Sequence, residues 1–431
     1  MDNNYLNISR IVKHNLCLNC GICVSVCPVN AISLKRSEVG YIPQINENKC
    51  LSKAGCSTCI KVCPGHGINI KQMSSFLFPY THKDDAVLGR YLKIYTAHSL
   101  NYDIRYHSSS GGVVTQMLVS LLDSKKIDGA LVTGMNKEKP LEPNVFIAKS
   151  REEIIQAQSS KYCPVPLGIG LKEIINTKGR FAVVGLPCHI HGFRKAEQIY
   201  SILREKVFLY LGLFCSSVKT FNATEYLLRQ RNFFKSNIVF FKYRDEGCLG
   251  SMVVRFKSGD IFKEPFQHYY PPLRSFFIPF RCTLCIDHTA ELADISFGDI
   301  HIPEYWDDKV GTSAIIIRSQ KALDYFLEIK NKGDIQCNDL NRSLLIKSQK
   351  NMIERKKKHY TVRNMVCKFF FRHTPRYDGG YDEVTFRKSL KYLLSTVILY
   401  VEIWIGCKKK LWWSISFLNK IAKLVARMKK K

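Results

Sequence analysis

Cys17, Cys20, Cys23 and Cys27 stand at steps of three, three and four, and Pro28 follows the last of them. A second set, Cys50, Cys56, Cys59 and Cys63, also ends in a proline, Pro64. Four thiols this close along a chain pair poorly as disulfides, because neighbouring backbone sits wrongly for the bridge. A short loop can instead aim three thiolates at one metal centre. The two runs differ in their first gap, which "LSKAG" stretches in the second.

The spacing C-x2-C-x2-C-x3-C-P resembles that of the bacterial ferredoxins, in which the fourth cysteine of each run ligates the other cluster. On that resemblance Cys17, Cys20, Cys23 and Cys63 hold one 4Fe–4S cluster. Cys50, Cys56, Cys59 and Cys27 hold the other. A pair of zinc knuckles would not account for a crossed, proline-terminated repeat.

Four further thiols are scattered. Cys188 lies in "VVGLPCHIHG", where Gly185 follows an apolar run, and Cys215 lies in "GLFCSS". Cys282 and Cys285 form a C-x2-C that Asp294 and Asp299 follow. Together they suffice for a third 4Fe–4S cluster or a four-thiolate zinc. Cys188 and Cys215 read equally as core residues, since free cysteine is often buried. "HSSSGG", His107 to Gly112, suits either an anion at a helix N-terminus or an ordinary helix start.

The elements that must position these groups follow from periodicity. Residues 1–72 read as an α+β ferredoxin-like domain for two 4Fe–4S clusters, and 73–90 as a linker. From Tyr91 short apolar strands alternate with helical segments, which predicts a larger α/β domain over 91–355 with a mostly parallel sheet. Ends of parallel strands gather the sites of such sheets. Residues 356–431 read as a basic amphipathic helical tail.

The 431 residues carry 17 cysteines and a net charge of +29. Clustered thiols and an N-terminus without an apolar signal core predict a cytoplasmic chain. After Thr385 a dozen Lys and Arg face a single acid, Glu402. Charge gathered beside tryptophans points to an anionic membrane surface rather than nucleic acid. "YLLSTVILYVEIWIG" is short for a bilayer span. On the helix after it, Leu411, Ile415, Leu418, Ala422 and Val425 share a face, with Phe417, Ile421, Leu424 and Met428 beside them. Lys420, Lys423, Arg427 and Lys430 line the other side. Trp412 and Trp413 suit the headgroup region, so residues from about 390 to 431 read as an anchor on the inner face of the cell membrane.

The segment from about Lys93 to Ser319 resembles the family of beta subunits of coenzyme F-420 hydrogenases and dehydrogenases. "SSSGGVVTQMLVSLLDSKKIDGALVTG", "QAQSSKYCPVP", "AVVGLPCHIHGFRKA", "LGLFCSS", "FRCTLCIDHTAELADISFGD" and "GTSAIIIRS" carry the likeness. It implies an iron–sulfur flavoprotein with FAD, and it favours the cluster reading of Cys188, Cys215, Cys282 and Cys285. Ser109, Ser110, Gly111 and Gly112 match the family's glycine-rich turn. Ser160, Lys161 and Tyr162 match its Ser-Lys-Tyr, where Lys161 could neutralise a phosphate or a reduced flavin. These residues and Gly185 are the candidate flavin contacts. Leu186 and His189 stand where the family has Thr and Gln. His189 and His191 could relay protons, and Lys161 and His189 are the catalytic candidates. The implied activity is transfer of electrons from a ferredoxin-like donor through clusters to a flavin and an organic acceptor. The other reading is an electron-transfer subunit that feeds a partner enzyme.

Overall fold

A computed structural model describes residues 7–81, 83–379, 381 and 386–428. Within the last helix it describes side chains to Leu424, so the expected faces of Val425, Arg427, Met428 and Lys430 lie outside the described residues. In the N-terminal unit the short helices Ile22–Ser25 and Thr58–Lys61 each stand just before the last cysteine of their run. A hairpin, Ile32–Arg36 with Tyr41–Ile45, separates the runs.

The larger unit is built on eight strands: β1 (Lys93–Ser99), β2 (Gly129–Met135), β3 (Pro143–Ala148), β4 (Phe181–Gly185), β5 (Val207–Leu213), β6 (Ile295–Asp299), β7 (Ser313–Ile317) and β8 (Ile335–Asp339). Their order is β8-β1-β7-β6-β5-β4-β2-β3. Only β2, β4, β5 and β6 run parallel to their shared neighbours. The other four of the seven pairings are antiparallel. The sheet is therefore mixed, not mostly parallel as its alternation suggested. Apolar periodicity locates a strand but carries no direction. The turn between β2 and β3 spans residues 136–142, too short for a parallel crossover. A separate antiparallel sheet, Ile238–Asp245, Ser251–Phe256 and Ile261–Pro265, is inserted before β6.

The elements run across the expected boundaries. A helix spans Ile70–Leu77, and Lys83–Asp85 pairs with Gly89–Tyr91 in a hairpin, so 73–90 is largely structured. The helix Arg342–Lys357 crosses residue 355. Beyond it, Tyr360 and Arg363 are buried, and Arg376–Tyr377 pairs with Gly67–Ile68 of the N-terminal unit.

One core joins the two units. Ile22, Val26, Ile60 and Val62 pack with Leu167, Leu171, Ile190 and Phe193. The seam needs a glycine at 168, because a Cβ there would stand 2.4 Å from the Ile22 nitrogen. Gly168 N–H donates to the Cys20 carbonyl at 2.7 Å, and the Ser25 hydroxyl donates to the carbonyls of Gly168 and Ile169.

Candidate metal centres and cofactor site

The thiols of the N-terminal unit gather across the two runs. Burial pushes Cys17 up to about 12, a backbone N–H from Asn19 opposes it, and the nearby Cys63 adds to it. Burial also raises Cys20 and Cys23, and Cys63 acts on both. Cys63 thus stands with the first three thiols of the other run. Cys27, in turn, lines one small pocket with Cys50, Cys56 and Cys59, beside Ile32 and Ile45. Peptide donors already point at two sulfurs: Asn19 N–H at Cys17, 3.4 Å, and Ala31 N–H at Cys27, 3.2 Å. Such donors stabilise thiolate charge and tune a cluster's potential.

The third group is assembled from long range. Cys188 sits in the first turn of the helix Pro187–Ala196, which follows β4, and Cys215 follows β5. Cys282 lies in the short helix Phe280–Thr283, and Cys285 follows it. Burial drives Cys188 well up, and Cys215, Cys20, Cys282 and Cys285 all add to it. Cys188 therefore faces both its own group and the first N-terminal one. Burial likewise lifts Cys215, to about 12, and Lys356 opposes that lift while Cys282 and Cys285 add to it. Burial works against the Lys356 ammonium, yet Cys285, Cys215 and Cys282 outweigh it and raise the group. Lys356 is thus a buried cation facing three of the four sulfurs, and nothing local in the sequence signalled it.

The donor chemistry fits iron–sulfur clusters: each group is four thiols, none of them exposed, with peptide N–H or ammonium charge beside them. Among the described residues no three His, Cys, Asp or Glu converge tightly enough for a single metal ion. Thiol ligands bind as thiolates, so loading a centre would release protons.

Arg281 ties the groups mechanically. Its guanidinium donates to the carbonyls of Pro64 (3.1 Å) and Leu284 (3.0 Å) and to the Tyr377 hydroxyl (2.9 Å). Lys195 donates to the carbonyls of Cys63 and Gly67.

The candidate flavin residues lie at the same edge of the sheet, near the C-terminal ends of β4, β5 and β6. Ser160 N–H donates to the Ser109 hydroxyl at 2.8 Å, and the Ser109 and Ser159 hydroxyls are 3.2 Å apart. Ser110 donates to the Thr312 carbonyl. Gly111 lies against β1 and β7, where a Cβ would meet the Ala97 carbonyl at 2.4 Å, and Gly112 takes the left-handed φ that starts the helix Val113–Asp123. Gly185 gives room to His189 and Leu167. Lys161 is buried and lowered to about 7 by that burial and by Lys242, and it donates to the carbonyls of Ala157, Gln158 and Ser159. His189 is lowered to about 4 by burial. Its Nδ1 accepts from Leu186 N–H, and its Nε2 donates to the Val165 carbonyl, so both nitrogens hold backbone. His191 instead pairs with the buried Asp287 at 2.8 Å.

Sequence reading missed Arg244. It is buried at the centre of this edge, pairs with Asp299 at 2.9 Å, and also binds the carbonyls of Leu249 and Ser109. Tyr162 lies against Tyr270 with ring centroids 4.3 Å apart and planes tilted by 41°, and Cys215 acts on the Tyr270 hydroxyl. Aromatic faces, hydroxyls and buried cations suit a flavin in kind. In this conformation Lys161 and Arg244 already have protein partners, so binding a flavin phosphate requires those contacts to be exchanged.

Comparison with known proteins identifies the family of both units. Residues 16–68 match the family described as 4Fe-4S dicluster domain. Residues 94–172 and 178–343 match the N-terminal and C-terminal parts of coenzyme F420 hydrogenase/dehydrogenase, beta subunit. The chain is 26% identical to a subunit of the F(420)H(2) dehydrogenase of Methanosarcina mazei, over 76% of this chain and 86% of that one. It is 29% identical to the coenzyme F420 hydrogenase subunit beta of Methanosarcina barkeri, over 63% and 95%. Against the coenzyme F420-dependent sulfite reductase of Methanocaldococcus jannaschii identity is 27%, over 82% of this chain and 52% of that one. Its fold is similar to a chain of the F420-reducing [NiFe] hydrogenase complex from Methanosarcina barkeri, with a TM-score of 0.54 and 23% identity over 68% of this chain and 98% of that chain.

Proposed function

Because the chain belongs to the family of coenzyme F420 hydrogenase/dehydrogenase beta subunits and carries a 4Fe-4S dicluster domain, we propose that it is an iron–sulfur flavin oxidoreductase joining a one-electron donor, such as a ferredoxin, to an organic acceptor. The observation that carries the reading is that the Cys188 thiol lies within electrostatic reach of Cys20 as well as of Cys215, Cys282 and Cys285. Cys17, Cys20, Cys23 and Cys63 would hold one cluster, Cys50, Cys56, Cys59 and Cys27 a second, and the Cys188 group a third. Clusters supply one-electron storage, and a flavin supplies the exchange between single electrons and a hydride.

The chain's own residues bind, orient and tune. Arg281 and Lys195 fix the loop that carries Cys63, and Lys356 places a positive charge where reduction adds a negative one. Tyr162 and Tyr270 would offer aromatic faces to a flavin beside the third thiol group. The names of the relatives make coenzyme F420 the first acceptor to assay. The second reading, an electron-transfer subunit that feeds a partner enzyme, is favoured by the closed partners of Lys161 and Arg244. The proposed location is the cytoplasmic face of a membrane, reached through the C-terminal helices.

Anaerobically purified chain tests both readings at once. About twelve irons per chain, with the absorbance of clusters, is expected for three 4Fe–4S centres. Flavin released on denaturation and turnover of F420 by the isolated chain support the enzyme. Iron without flavin, and no turnover until a second subunit is added, supports the electron-transfer role.

A further inference from the structure

The helices Phe386–Gly406 and Trp413–Met428 lie beyond residue 343, where the family match ends. Each has one face held by the domain. Glu402 pairs with Arg274 and accepts from Ser275 N–H at 3.1 Å. Gly406 lies so close to the Phe276 carbonyl that a Cβ could not fit. Trp412 is buried edge-on to Tyr226 and Phe277, and Asn419 donates to the Pro272 carbonyl at 2.9 Å. Both helices are thus seated on residues 272–277, and their outer faces lie over one side of the domain.

Those outer faces are apolar and bare. Leu394, Val401 and Trp404 on the first helix are 50–66% exposed, and Trp413, Phe417 and Leu424 on the second 59–73%. Contiguous exposed apolar surface of this kind marks an interaction site. Charge says what covers it. Lys408, Lys410, Lys420 and Lys423 are exposed beside it. The only acid after Thr385, Glu402, is turned into the domain. An apolar ridge edged by cations, on helices whose described residues expose no acid, complements anionic headgroups over acyl chains. Among the described residues no helix is long and apolar enough to cross a membrane, so the fit is to the interface.

We propose that the outer faces of these two helices form a single docking surface for an anionic phospholipid bilayer, with Trp404 and Trp413 at headgroup depth. This rests on the membrane location proposed above and adds the surface that makes it. Trp412 is not part of that surface, and Lys409, bound to Glu38 and Glu225, is not one of its cations.

The test is sedimentation of the full chain with phosphatidylcholine vesicles, with and without phosphatidylglycerol. Binding is expected only with phosphatidylglycerol, and W404S/W413S should weaken it about tenfold or more, the loss of at least 1.4 kcal/mol. Val401→Glu should act alike, with cluster absorbance unchanged in both as the check on folding. No binding of the parent chain at low salt overturns the membrane location itself. Binding that high salt abolishes and these variants leave intact keeps the location but overturns the surface. A self-associated chain that the variants dissociate, with no vesicle binding, assigns the face to a second copy and overturns both.

Discussion

At the scale of single residues, the informative cysteine is Cys63. Its own run would place it with Cys50, Cys56 and Cys59, yet its thiol acts on Cys17, Cys20 and Cys23. Cys63→Ser should therefore remove the electron paramagnetic resonance signal of the cluster held by the first run and spare the other. Loss of the second-run signal alone would reverse the assignment. The sequence leads to the same expectation, because each run is short and the crossed rule is local. Lys356 was not legible, since it reaches the thiols from a helix 71 residues beyond Cys285. Replacing it with glutamine removes a buried positive charge and should make the third centre harder to reduce. A shift of order 60 mV downward corresponds to a tenfold change in the one-electron equilibrium. An unchanged potential in a spectroelectrochemical titration would mean that the Lys356 charge is compensated elsewhere.

At the scale of elements, periodicity found the strands of the sheet but not their directions. The β2–β3 hairpin could have been foreseen from its short loop, whereas β1 and β7 are antiparallel neighbours brought together from over two hundred residues apart. The tail shows the same limit. Trp412 lies in the turn before the helix that starts at Trp413, so Trp412 enters the core while Trp413 faces out. The turn between the last two helices is held at Glu225. Burial raises this carboxyl, but Lys409 and Lys235 outweigh it and bring it from 4.5 to about 2. A depressed carboxyl contributes its stability above the unfolded value and loses it as pH falls through the folded one. The turn should accordingly stay seated above about pH 4.5 and loosen toward pH 2. In a chain whose other three tryptophans are phenylalanine, Trp412 emission should move to longer wavelength over that window. Glu225→Gln should show part of the shift at neutral pH. Emission that is flat with pH and equal in both chains would mean that the seat depends on packing alone.

At the scale of the molecule, the two units share one core and one seam, so the N-terminal clusters are not a detachable cartridge. Ile22 and Val26 are buried against Leu167 and Phe193, and Arg281 reaches from the third thiol group to the loop after Cys63. The sequence announced two units because their motifs are separate. It could not show that Cys188 lies between their thiols, since Cys20 and Cys188 are 168 residues apart. The third thiol group therefore touches both neighbourhoods: Cys20 acts on Cys188, and Cys215 acts on Tyr270 beside Tyr162. Cys282→Ser in the full chain is therefore the decisive change. It removes one ligand of the third group and leaves both N-terminal sets and the shared core untouched, because Cys282 is not among the core residues of the seam. Iron should fall by about four per chain. The two N-terminal signals should remain and should still appear on reduction by a low-potential donor. Transfer onward to an acceptor should stop in stopped-flow mixing. If iron falls but transfer persists at the parent rate, electrons leave the N-terminal centres by another exit. If iron does not fall, Cys282 is a core thiol and the third centre does not exist in this form.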